Sequence, residues 1–111
     1  MDIKANFEKA ATFIRSAAGQ GAQLAVLPEY HLTNWLPNDP DFLGLCDKWE
    51  TYLIKYQELA KECSICIVPG TIVESHRGAS NASDRLLNVA YFINADGSCS
   101  LSKFGVWIAN T

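Results

Sequence analysis

Gly21-Ala22-Gln23-Leu24-Ala25-Val26-Leu27-Pro28-Glu29-Tyr30 is the stretch on which the fold turns. Leu24 to Leu27 is a continuous apolar run, the pattern of a short strand covered on both faces, and Pro28 ends its hydrogen-bond ladder. Upstream, Phe7, Ala10, Ala11, Ile14, Ala17 and Ala18 recur at spacings of three and four, so Lys4 to Ala18 reads as one amphipathic helix, stopped by Gly19 and Gly21. Helix, tight loop and buried strand in that order make an α/β pattern.

Downstream, Trp49, Tyr52, Leu53, Tyr56, Leu59, Ala60 and Cys63 mark a second amphipathic helix. Ile65 to Val68 and Thr71 to Val73 are β-branched runs split by Pro69-Gly70, and Leu86 to Asn94 is a further strand candidate after the polar loop from Ser75 to Arg85. Asn94-Ala95-Asp96-Gly97 signals a turn into a short last strand, while Gly105 to Thr111 fits no element. The prolines and Asx residues between Glu29 and Lys48 favour a long irregular loop, and loops of that length are often functional.

With 111 residues, 49% hydrophobic and 19% charged, the chain has room for one domain and enough apolar material for a core. A net charge of -3 offers no basic excess for nucleic acid. No apolar run approaches the roughly 18–20 residues needed to cross a bilayer, and the amino terminus lacks the pattern of a signal peptide, which makes the cytoplasm the expected compartment. There, Cys46, Cys63, Cys66 and Cys99 are expected as free thiols. Cys63 and Cys66 lie between a helix and a strand, where packing explains them better than redox chemistry, and His76 alone cannot complete a zinc site with them. Asn81-Ala82-Ser83 has the form of a glycosylation acceptor and is assigned no role.

Glu29 is the most informative residue. It stands just past the end of the apolar strand, where active sites of α/β folds collect. Tyr30 and Trp35 as walls would desolvate it partly and favour work as a general base. Against this stands a plain surface Glu in a loop. His31, two residues on, is a second candidate for the pocket lining. No Gly-rich phosphate loop follows the strand, which argues against a small flavodoxin-like binding module.

Asn6, the helix to Ala18, Gly21 to Tyr30, Val68-Pro69-Gly70-Thr71-Ile72-Val73-Glu74, and Leu87-Asn88-Val89-Ala90-Tyr91-Phe92-Ile93 with Asp96-Gly97 occur in the order and spacing of the nitrilase superfamily of carbon–nitrogen hydrolases, which this chain resembles. The resemblance implies a four-layer α-β-β-α sandwich, of which residues 1–111 form a single partial domain without the first strand and the carboxy-terminal half. It implies a Glu-Lys-Cys mechanism on a small amide or nitrile, without metal or organic cofactor, and a possible homo-oligomer. Glu29 would be the general base.

None of the four cysteines occupies the family's nucleophile position. For the lysine, two alignments are open. In one, Lys103 with Phe104 is the basic-aromatic pair that precedes it and the position falls on Val106; in the other, Lys103 is itself the oxyanion stabiliser. The competing reading is a non-catalytic fragment of such an enzyme.

Overall fold

Asp2 begins the first helix by accepting a hydrogen bond from the Ala5 N–H at 3.1 Å, which satisfies one of the helix's unpaired amides. In the computed structural model, residues 2–29, 31–33, 36, 38–76, 85–99 and 104–110 are described, with residues 85 and 104–110 followed as backbone only. The helices are α1 (Ile3–Gly19), α2 (Phe42–Cys46) and α3 (Trp49–Cys63). The strands are β1 (Leu24–Val26), β2 (Cys66–Val68), β3 (Thr71–His76), β4 (Arg85–Ala90) and β5 (Phe104–Asn110).

β1 and β2 pair in parallel, with Ala25 opposite Ile67. β3, β4 and β5 form an antiparallel sheet in that order, with Val73 opposite Asn88 and Asn88 opposite Val106. Ile93 bridges Ile67 on one side and Cys99 on the other, so the chain after β4 continues the β1–β2 ladder. α1 and α3 lie against each other and bury Phe7, Ile14, Tyr52 and Tyr56 on Ala25, Ile67, Ile72 and Val89. This is the α/β arrangement expected from the pattern.

Most elements fall where periodicity places them, and four differences have physical reasons. β1 is not covered on both faces: Ala25 is 2% exposed, but Leu24 and Val26 are 48% and 57% exposed. The helices cover only the Ala25 side, and β2 is the only strand that β1 pairs with among the described residues. The long loop contains α2, whose Phe42 and Cys46 pack on Val73 and Leu86; so short a helix has too few turns to display a period. β3 runs on to His76, beyond the apolar run, because Glu74 is buried with partners of its own. The segment assigned to no element is β5, paired to β4 along Phe104 to Asn110. Asn81 and its neighbours lie outside the described residues.

Two glycines are required by their surroundings. At Gly70, with φ of +67°, an added Cβ would stand 2.2 Å from the Pro28 carbonyl oxygen and 2.6 Å from that of Leu27. At Gly97, φ +88°, it would stand 2.9 Å from the Gln57 carbonyl oxygen; Gln57 Nε2 in turn donates to the Gly97 carbonyl at 3.1 Å, fixing the predicted turn to α3. Gly70→Ala combines left-handed strain with a backbone collision, so it should destabilise the fold by about 3 kcal/mol. Urea unfolding of the variant beside the parent measures this, and an unchanged midpoint would contradict the close approach.

Candidate active site

β1 delivers Glu29 to the sheet end, and the loop that carries it is tied down at three points. Asn6 Nδ2, from α1, donates to the Leu32 carbonyl at 2.6 Å. His31 Nδ1 is 3.2 Å from the Pro28 carbonyl and its Nε2 is 2.6 Å from the Tyr56 hydroxyl on α3. Leu32 itself is 2% exposed and joins the main core. The expectation that His31 is a site residue thus takes a definite form: it braces the loop that follows Glu29.

The His31 contacts also fix its proton. A carbonyl can only accept, so Nδ1 carries the hydrogen; with the ring kept neutral at pH 7 by its burial, Nε2 accepts from the Tyr56 hydroxyl. Burial lowers the His31 pKa to about 4, although the Pro28 carbonyl acts in the opposite direction. Burial likewise pushes the Tyr56 phenol above its ordinary value.

Glu29 is exposed, which corrects the expectation of a desolvated carboxylate. Tyr30 and Trp35, the proposed walls, and Lys103 lie outside the described residues. What holds Glu29 is Asn88: its Nδ2 donates to Glu29 Oε1 at 2.9 Å, across 59 positions of sequence. Asn88 is on β4, 6% exposed, on the face that Phe42 and Cys46 cover. A cavity of about 460 Å³ lies between α1 (Asn6, Lys9, Phe13) and Val26, Pro28 and His31; Glu29 is not part of its described lining.

A second carboxylate, Glu74, is fully buried on the opposite face of β3. Its Oε2 accepts from the Tyr91 hydroxyl and its Oε1 lies 2.7 Å from His76 Nε2. The His76 ring stacks at a tilt on Trp49, with centroids 5.4 Å apart. Paired in this way, the buried carboxylate is tolerated within the sheet. The four cysteines are free thiols, as expected. Cys46 is fully buried, and burial followed by the nearby Asp47 pushes its pKa up to about 12, so it is a poor nucleophile.

Sequence reading missed Asn88, Glu74 and Tyr91 as partners. The available signal was a polar residue inside an apolar strand, Asn88 in Leu86 to Ala90 and Glu74 after Ile72-Val73. Such residues need a partner, but the sequence does not say which.

With this geometry in place, the comparisons with known proteins identify the class. Residues 1–105 match the carbon–nitrogen hydrolase family. The chain belongs to that family. It is 33% identical over 100 residues to omega-amidase NIT2 of Homo sapiens and to that of Pongo abelii, which covers 89% of this chain and 33% of each relative. It therefore spans about a third of the length of these curated relatives.

Among solved structures, the C. elegans NitFhit protein superposes with a TM-score of 0.74 at 24% identity, covering 94% of this chain and 24% of that one. A carbon–nitrogen hydrolase from Helicobacter pylori G27 gives 0.73 at 19% identity, with 94% and 35% covered. An amidase from Nesterenkonia sp. gives 0.71 at 16% identity, with 95% and 37% covered. At these identities the structures establish the shared α/β fold. Among the described residues, no helix is long and apolar enough to cross a membrane.

The low pKa of His31 makes stability depend on pH. Its folded value of about 4 lies below the 6.5 of a free imidazole. Between these values the unfolded chain binds a proton that the folded chain refuses. The stabilisation is therefore full above pH 6.5 and is lost as the pH falls toward 4, by up to about 3 kcal/mol. Urea unfolding at pH 7 and pH 4.5 should show a steeper loss for the parent than for His31→Gln; equal losses would remove His31 as the cause.

Proposed function

We propose that this chain forms part of a hydrolase that cleaves a small amide, with nitriles as the other substrate class of the reading, through a Glu-Lys-Cys mechanism in which Glu29 is the general base. The single observation that carries this is the tether from Asn88 to Glu29, which fixes the carboxylate at the end of β1 in a chain of this family. The curated relatives are omega-amidases and one structural relative is an amidase with an active-site cysteine; these names support an amide over a nitrile. Because the chain spans about a third of those relatives, the reaction is proposed for the whole protein in which the segment acts.

In this mechanism Glu29 removes the proton of a thiol, and the thiolate sulfur attacks the amide carbon. A lysine ammonium stabilises the oxyanion that forms. The C–N bond then breaks, the amine leaves with a proton, and water hydrolyses the thioester to the acid and the free thiol. None of the steps draws on a metal or organic cofactor. The thiol is none of the four cysteines, a reading supported by the buried, weakly acidic Cys46. Residues 1–111 are read as one partial domain of the four-layer sandwich. A homo-oligomer belongs to the same proposal, supported by the exposed apolar side chains Phe13, Leu24 and Val26.

A second reading, a non-catalytic chain of the same family, is favoured by one observation. Val106 stands in register with Asn88, the residue that holds Glu29. That register supports the alignment in which the lysine position falls on Val106 rather than on Lys103. A single assay separates the readings: hydrolysis of small amides and nitriles by the native protein and its Glu29→Gln variant. The catalytic reading expects a loss of roughly 10²–10⁴-fold in kcat on Glu29→Gln. Retained activity would remove Glu29 from the mechanism, and a native protein inactive on every amide and nitrile would leave the non-catalytic reading.

A further inference from the structure

Two buried side-chain atoms among the described residues have no hydrogen-bond partner, Asn88 Oδ1 and Ser75 Oγ. The β3–β4 register sets Ser75 opposite Leu86 and Val73 opposite Asn88, so by strand alternation both orphans belong to one face. It is the face from which Asn88 reaches Glu29. The amide's orientation follows from chemistry. An ionised carboxylate only accepts, so Asn88 must turn its NH2 toward Glu29, which obliges Oδ1 to point elsewhere, into surroundings that offer no donor.

A buried acceptor without a partner costs the full desolvation of that oxygen, and an apolar side chain of the same shape would avoid the cost. Packing alone would therefore favour Leu at position 88, in line with Phe42, Val73 and Leu86 on the same face. We propose that Asn88 is a positioning residue for Glu29, held in the sheet at the expense of stability; this rests on Glu29 acting as the base. The tether has the right chemistry for that task. A Glu side chain in an exposed loop has several rotatable bonds, and a base works only when its free oxygen is aimed at the proton it takes. Asn88 fixes Oε1 and leaves Oε2 for the proton. Because its NH2 is neutral, it orients the carboxylate without locking it into a salt bridge, as a lysine or arginine at position 88 would. Ser75 carries the other orphan but makes no contact with Glu29 in the described structure, which makes it the control.

The experiment compares Asn88→Leu, Ser75→Ala and Glu29→Gln in the native protein, reading kcat and KM for amide hydrolysis and the midpoint of urea unfolding. Asn88→Leu is expected to unfold at the same or a higher urea concentration, to lose roughly 10²-fold in kcat, and to keep KM within about twofold. Ser75→Ala is expected to keep both kcat and the midpoint or raise the midpoint. A lower midpoint for Asn88→Leu, or a kcat equal to the parent's, overturns the proposal. Independently of that variant's stability, the tether is read directly by NMR in the native protein. Glu29→Gln must perturb the Asn88 side-chain NH2 resonances more than those of any other asparagine, and unchanged resonances overturn it. The two readings fail separately: full activity of Glu29→Gln removes the base, whereas an inactive Glu29→Gln beside an active Asn88→Leu removes only the positioning role.

Discussion

The contact of Gly70 with the carbonyls of Leu27 and Pro28 is the constraint on which the rest of the arrangement depends. β1 ends at Val26, and the Leu27 N–H still donates to the Val68 carbonyl at 2.9 Å. The chain from β2 must then turn into β3 within Pro69-Gly70 while lying against the end of β1. No side chain fits between the two backbones. Because the approach is so close, the turn that starts β3 lies directly against the turn that carries Glu29, and the sheet containing Asn88 is brought to Glu29.

That sheet uses its two faces differently. Toward α3 it presents Ile72, Glu74, Val89 and Tyr91, and the one charge among them is satisfied on both oxygens by Tyr91 and His76. This carboxylate is structural, with no open side for a substrate. Toward α2 it presents Val73, Ser75, Leu86 and Asn88, with two polar atoms left unpaired. An unpaired buried atom marks a place where a protein accepts a cost for another purpose, and one of the two belongs to the side chain that holds the exposed Glu29. The two glutamates show how one side-chain type takes different roles through its surroundings: closed off within a core, or exposed at a strand end and held by one neutral donor.

α1 and α3 were legible because their apolar residues repeat at the helical period over four or more turns. Trp49 to Cys63 matched to the residue. β3 was legible only in part, and β5 was assigned to no element. Ser75 and His76 extend β3 although nothing in their type distinguishes them from a loop, since their pairing with Leu86 and Arg85 is a tertiary contact. β5 has no alternation that marks it as a strand, and among the described residues its pairing is with β4. For β1 the sequence misled: a continuous apolar run suggests two covered faces, but coverage depends on what packs above and below, which the run itself does not encode.

By itself, the sequence determined the α/β class, the family and the position of Glu29 just past a strand end. Local periodicity, a proline after an apolar run and the order of short motifs carry that information along the chain. Tertiary structure decided that Glu29 is exposed, that Asn88 holds it, that His31 is a neutral brace on Tyr56, and that Glu74 is a buried pair with Tyr91 and His76. Each of these joins residues through space, the first pair 59 positions apart. A hydrogen bond between side chains on different elements leaves no periodic trace in the sequence; it exists only once Gly70 has brought the strand ends together.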